Sequence, residues 1–192
     1  LDTREYEKAV LYADSSAFLG RKSGNLYRLL YALNTKSRAL IRLYRYEEAG
    51  EILKEGIALT RKINDNFTLN SFILNLADLN LKTGNTVAAG PLYIEALKLA
   101  GSINDMKGIT ISYRGLGYYY MNKKDFKQAE HFTRLSLETA RENNFLSEIQ
   151  ECYLLLSDLA LATGGMREYN KLRMISDSIE AVVFNDDISR SI

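Results

Sequence analysis

Residues Tyr113–Leu137 read YRGLGYYYMNKKDFKQAEHFTRLSL, and this stretch decides the fold. Tyr113, Leu116, Gly117 and Tyr120 recur at i, i+3, i+4 and i+7, one apolar stripe of a helix. Lys124-Asp125 interrupts the stripe. Asp125, followed three residues later by Gln128, has the form of an N-cap with a capping box, which predicts that a second helix starts here. Its stripe runs through Phe126, Ala129, Phe132, Ser136 and Leu137. Gly117, Ala129 and Ser136 are small where helices usually carry bulk. Small residues there let two backbones approach to about 8 Å, the low end of helix packing distances. The stretch therefore predicts an antiparallel helical hairpin built for close packing.

The rest of the chain copies that hairpin. Ala49, Ala89 and Ala129 stand 40 residues apart. Tyr46-Glu47-Glu48-Ala49 aligns with Phe126-Lys127-Gln128-Ala129, and Thr86-Val87-Ala88-Ala89 falls between them. Seven residues after each alanine come Gly56, Ala96 and Ser136; twelve residues before it come Ser37, Ala77 and Gly117. All six are small. A fourth copy keeps Ser157 and Ser176 but carries Tyr169 where the alanine would stand. The joints recur too, as Asn64-Asp65, Asn104-Asp105 and Asn143-Asn144, with Gly24-Asn25 upstream and Gly84 and Gly164 at turns within hairpins. Asn and Gly accept the left-handed conformation that ends a helix, and Asp or Asn can cap the next.

Taken in order, the pattern predicts a single repeat domain over 1–192. Residues 1–24 hold a lone trailing helix near 3–22, in which Tyr6 and Ala9 match Tyr46 and Ala49. Four hairpins follow over 25–64, 65–104, 105–144 and 145–184. Their helices are expected near 26–43 and 46–62, 67–82 and 86–102, 107–122 and 126–142, and 147–162 and 166–183. Residues 185–192 are expected to form a tail or linker. Pro91 lies about six residues into its helix and predicts a kink or an irregular first turn. The opening on Leu1 and the unpaired first helix suggest a piece excised from a longer protein.

These residues carry a family likeness. The chain resembles the tetratricopeptide repeat, whose signature places a bulky residue, Leu, Gly or Ala, and Tyr in the first helix, then Ala, an aromatic and Ala in the second. The third copy supplies Tyr113, Leu116, Gly117, Tyr120, Phe126, Ala129, Phe132 and Ser136. The second supplies Ile73, Leu76, Ala77, Ala89, Tyr93 and Ala96, and the fourth Tyr153, Leu156, Ser157 and Gly164. The period of 40 exceeds the family norm of about 34. The closing proline is absent, with Arg61, Gly101 and Arg141 in its place. In both respects the chain looks like the long repeats of bacterial signalling proteins. The resemblance implies an all-α fold, a right-handed α-α superhelix of antiparallel hairpins whose leading helices line a concave face.

On that face the candidate ligand-binding residues are those off the packing stripe of the leading helices. They are Tyr31, Asn34, Arg38 and Arg42, then Asn75, Asp78 and Lys82, then Arg114, Tyr118 and Asn122, and last Glu151 and Asp158. The basic members lie mostly early and the acidic ones late, so the first part is expected to meet carboxylates and the later part amines. The carboxylate clamp of chaperone-tail receptors is not carried over, because Leu74 and Asp78 stand where it needs other residues. Of the three consecutive tyrosines, Tyr120 belongs to the core, Tyr118 faces the groove and Tyr119 is expected to pack on a neighbouring hairpin. His131 reads as a surface histidine, Cys152 as a small packed residue, and Glu47-Glu48 as solvated charge.

Composition excludes several classes. Apolar residues make up 46% and charged residues 26%, which fits a folded chain and not a disordered one. The net charge of +1, from 25 basic and 24 acidic residues, supplies no reason to expect nucleic acid or an anionic membrane. One cysteine and one histidine permit neither an intrachain disulfide nor a structural zinc site. No phosphate loop, nucleophile elbow or metal motif occurs, so no enzyme and no cofactor is expected. No apolar run reaches the length of a membrane span, and no signal-peptide pattern opens the sequence. The expectation is a non-catalytic scaffold that binds a peptide or protein segment. One alternative rests on the ending, Lys171-Leu172 through Ser176-Asp177-Ser178-Ile179 to Asp187-Ile188, which looks like the close of the repeats in bacterial membrane-bound regulators. There the segment would be an extracytoplasmic sensor of a kinase or transcription factor, periplasmic where the scaffold would be cytoplasmic. The other alternative is self-association into a homo-oligomer through the ends of the array.

Overall fold

The computed structural model describes the backbone of residues 3–190 and the side chains of residues 3–182. Among the described residues there are nine helices and no strand. They are α1 (Thr3–Ser23), α2 (Leu26–Arg42), α3 (Tyr46–Ile63), α4 (Asn66–Lys82), α5 (Thr86–Ser102), α6 (Met106–Asn122), α7 (Phe126–Glu142), α8 (Leu146–Ala162) and α9 (Met166–Arg190). Helix α9 runs to Arg190, so the tail expected over 185–192 is helical as far as it is described. No Gly or Pro punctuates that stretch, and the helix continues through Asn185-Asp186 although the same pair ends helices at Asn64-Asp65 and Asn104-Asp105. Residues 191–192 lie outside the described residues. Helix α5 runs through Pro91, the position at which a kink or an irregular first turn was expected, and its first turn opens with a three-residue bond from Ala88 N to Asn85 O at 3.1 Å. The carbonyl that loses its helical donor belongs to Val87, an exposed residue where water can take the donor's place.

The joints set the register. Left-handed backbone occurs at Gly24, Tyr44, Asn64, Gly84, Asn104, Lys124, Asn144 and Gly164, one every 20 residues. One position further on, each backbone N–H from Arg45 to Gly165 donates back across the helix end. The bonds are Arg45 to Leu40, Asp65 to Thr60, Asn85 to Asn80, Asp105 to Ala100, Asp125 to Tyr120, Phe145 to Ala140 and Gly165 to Ala160, at 2.7–3.1 Å. This is the six-to-one bond of the Schellman motif, and it satisfies carbonyls the helix would otherwise leave open. Asn25, Asp65, Asp105 and Asp125 then cap the following helices by accepting from the backbone N–H three residues on. The reciprocal arm of the capping box expected at Asp125 is not formed, because the Asp125 N–H donates to Tyr120 O at 3.0 Å.

The chain divides into two compact units, Leu1–Leu99 and Ala100–Ile192. In the first, Leu30, Leu33, Leu40, Ala49, Leu53, Phe72, Ile73 and Tyr93 form a fully buried core. A Cβ at Gly56 would overlap the ring of Phe72, so only glycine lets α3 settle on α4. In the second unit a Cβ at Gly117 would come within 2.5 Å of Thr133 Oγ1 and 2.9 Å of Leu155 Cδ2. Two hydroxyl-size links tie three helices there. Cys152 Sγ donates to Ser136 Oγ at 3.2 Å, and Ser136 Oγ donates to Thr110 O at 2.8 Å. Tyr120 stacks on Phe132 with centroids 5.4 Å apart. The small positions of the repeat, from Ser37, Ala49 and Ala77 to Ala129, Ser136, Ser157 and Ser176, have no exposed surface.

Candidate functional site

In the first unit the candidate residues fall on two leading helices. Tyr31, Asn34, Arg38 and Arg42 follow one another along α2 at three- and four-residue steps, and Asn75, Asp78 and Lys82 do so along α4. A direct bond fixes the two stripes side by side: Asn75 Nδ2 donates to Asn34 Oδ1 at 2.7 Å. Both amides are half-buried, whereas Tyr31, Arg38, Arg42 and Lys82 are exposed. Among the described residues no carboxylate lies within ion-pair distance of Arg38, Arg42 or Lys82. By contrast, Arg21, Arg45 and Arg61 in the same unit are each held by a glutamate. Asp78, the one acid among these candidates, accepts from the buried Tyr93 hydroxyl at 2.5 Å. This face carries three cations, and its one acid is engaged from behind.

In the second unit the candidates lie on α6 and α8, and two of them are already occupied. Arg114 Nη1 donates to Glu148 Oε2 at 2.5 Å, with both side chains largely buried. Asn122 turns its amide back to Tyr118 O at 2.9 Å. The residues left facing outward in part are Tyr118, Glu151 and Asp158. Burial, then the Glu151 carboxylate, pushes the Tyr118 phenol up to about 12 against the opposing pull of Arg114. It stays a neutral donor throughout the physiological range. Burial also raises the Asp158 carboxyl, and Arg173 opposes that shift. The character of this face is acidic.

Other residues singled out by sequence find ordinary places. Tyr119 meets Tyr120 edge to face at 5.0 Å, and Lys123 lies 5.3 Å from its ring centre. His131 is exposed and meets Phe132 edge-on at 5.3 Å. Burial raises the Cys152 thiol, which remains protonated. Glu48, expected to be solvated charge, is exposed and also pairs with Arg45 through two bonds at 2.6 and 2.7 Å. Helix α1 exposes Leu11, Tyr12, Phe18 and Leu19. Among the described residues no cluster of His, Cys, Asp or Glu could hold a metal, and no helix is long and apolar enough to cross a membrane.

Sequence reasoning missed Glu148, the partner that removes Arg114 from the free cations. Arg21–Glu55 and Arg61–Glu95 also pair across 34 residues, but they join trailing helices at a different position of the repeat, so the repeat gives no signal for the Arg114–Glu148 pair.

Neither a family model nor a curated protein sequence matches this chain. Solved structures do match in fold. BtubC (BKLC) from P. vanneervenii superimposes with a TM-score of 0.74 at 16% identity, over 91% of this chain and 73% of that one. A putative kinesin light chain of nearly identical TPR-like repeats from Podosopora anserina gives 0.66 at 15% identity, over 94% and 89%. A signal transduction ATPase with numerous domains and a tetratricopeptide repeat sensor, from Pyrococcus horikoshii, gives 0.68 at 19% identity. This chain covers 90% of itself in that match and spans 30% of the larger protein. At such identities the likeness is one of fold: an all-α superhelix of antiparallel hairpins.

Proposed function

Because the chain folds as a tetratricopeptide-type helical repeat, we propose that it is a non-catalytic scaffold that binds segments of other proteins on the leading helices of its hairpins. The first unit takes an acidic segment across α2 and α4. The observation that carries this reading is the Asn75–Asn34 bond, which aligns Arg38, Arg42 and Lys82 on one face with no carboxylate of their own. Rigid helices hold these groups in place before the ligand arrives, so less ordering entropy is lost on association. Each exposed ion pair contributes only about 1 kcal/mol or less. Several must act together, with the asparagine amides supplying hydrogen bonds to the ligand backbone. In the second unit, Tyr118, Glu151 and Asp158 suit a basic side chain instead.

The sensor reading uses the same faces. It is supported by the description of one structural relative as a repeat sensor within a larger signalling protein. A ligand on α2 and α4 would then be the input.

The test is fluorescence anisotropy with labelled short peptides of acidic, neutral and basic composition. The acidic peptide is expected to bind the full chain and the neutral one to bind far less. Joint replacement Arg38→Ala with Lys82→Ala should weaken the acidic peptide about tenfold, the effect of two exposed pairs. Arg134→Ala, on a trailing helix, should leave it unchanged. Equal affinity in the double variant would remove the face from the account.

A further inference from the structure

The α2–α3 turn and the end of α4 border an open cleft of about 470 Å³, lined by Tyr44, Arg45, Tyr46, Glu47, Glu48 and Thr83. None of the residues assigned to the peptide face lines it, and all six belong to the first unit.

The rings come first. Tyr44 and Tyr46 stand edge to face, with centroids 6.1 Å apart and planes at 76°. Tyr44 is 77% exposed, so one of its faces is open to a ligand. An aromatic face is the negative end of a quadrupole and attracts cations.

The cleft also offers a carboxylate. Arg45 spends its fork on Glu48, and its Nη1 lies 3.6 Å from Glu7. Lys36 is bound to Asp14 at 2.6 Å. Glu47 lines the cleft, is exposed, and has no cation within ion-pair distance among the described residues. Of the two carboxylates that line the cleft, Glu48 is taken by Arg45 and Glu47 is left for a ligand, with the exposed Arg42 and Lys82 close in sequence to the lining residues.

The backbone makes the tyrosine conspicuous. Tyr44 holds φ at 59°, and the seven equivalent joints use Gly, Asn or Lys. A bulky aromatic is a costly choice in the left-handed region.

We propose that this cleft binds an organic ammonium group, held between the Tyr44 and Tyr46 rings and the Glu47 carboxylate. The recognised chemistry is a methylated or primary ammonium on an apolar stem. Its source can be a free quaternary amine or a lysine side chain of a peptide. The volume suits a head group and its stem, and lies within the range of small-molecule sites.

Titration of the full chain with choline, followed by tyrosine ring resonances and calorimetry, tests this directly. Dimethylbutanol, the neutral carbon analogue of choline, is the control for shape without charge. Nα-acetyl-lysine methylamide stands for the peptide source, and the tighter of the two amines identifies the source. Choline or the lysine derivative is expected to saturate the Tyr44 and Tyr46 signals, and dimethylbutanol is not. Tyr44→Gly accepts the observed φ and so preserves the turn; it should weaken the amine about fivefold, whereas Tyr44→Phe keeps the ring and the affinity. Glu47→Gln should weaken binding further when combined with Tyr44→Gly. Equal binding of the neutral analogue, absence of saturable shifts with either amine, or unchanged affinity in Tyr44→Gly would each overturn the assignment.

Discussion

Lys124 shows how a single residue can work against the repeat it sits in. Its φ of 60° places an ordinary side chain in the left-handed region, at a joint where Gly84 and Gly164 stand in two of the other copies and Tyr44 in the third. That strain costs about 1 kcal/mol or more. Lys124→Gly should therefore stabilise the chain by about 0.5–1 kcal/mol, the relief being partly offset by the freer unfolded chain. Urea denaturation would check it, and a lower midpoint would contradict the strain argument. Asp158 makes a prediction in pH. Its carboxyl is raised in the folded state by burial, so the folded chain holds the proton more tightly than the unfolded one. The resulting penalty is absent well below the ordinary carboxylate range and develops as pH rises through the folded value. Asp158→Asn should thus raise the melting temperature at neutral pH and make no difference in strong acid. A stabilisation that persists in acid would show that the effect is not one of charge.

At the scale of the helix, close approach governs the packing, and glycines divide by what they touch. Gly56 lies against the fully buried Phe72, which has no room to move, whereas a Cβ at Gly101 would meet nothing within 4 Å. Gly56→Ala should cost about 1–3 kcal/mol through overpacking despite its better helix propensity. Gly101→Ala should gain up to about 1 kcal/mol from propensity alone. Parallel thermal melts of the two variants would decide this, and the same sign in both would contradict it. Much of this packing is legible in the sequence, because the repeat prints its small residues 40 positions apart, and those aligned with Ala49, Ala89 and Ala129 prove buried except Ala9, which is half-buried. The joints are legible only where their chemistry announces them. Asn64, Asn104 and Gly84 reveal left-handed backbone; Tyr44 and Lys124 adopt it by position in the register and carry no such mark. Likewise the Arg114–Glu148 pair depends on how α6 and α8 lie side by side, which helix periodicity does not encode. The candidate faces were legible as stripes, but the state of each charge on them was not.

Across the whole chain the near-neutral balance of +1 averages over surfaces of opposite sign. The leading helices of the first unit present Arg38, Arg42 and Lys82, and those of the second present Glu151 and Asp158 beside a neutral Tyr118. Composition excludes a general polyanion binder and says nothing about these local faces. The likeness to BtubC and to the kinesin light chain repeats establishes the fold, and the fold hosts many partners. What distinguishes this chain is therefore the pair of linked asparagines and the cations around them. The side-chain amide signals of Asn34 and Asn75 in a nitrogen-15 NMR titration with the acidic peptide report on that centre without any substitution. Both are predicted to shift in step and saturate at the affinity measured by anisotropy. Amide signals that stay fixed while the peptide binds would place the ligand elsewhere and contradict the account.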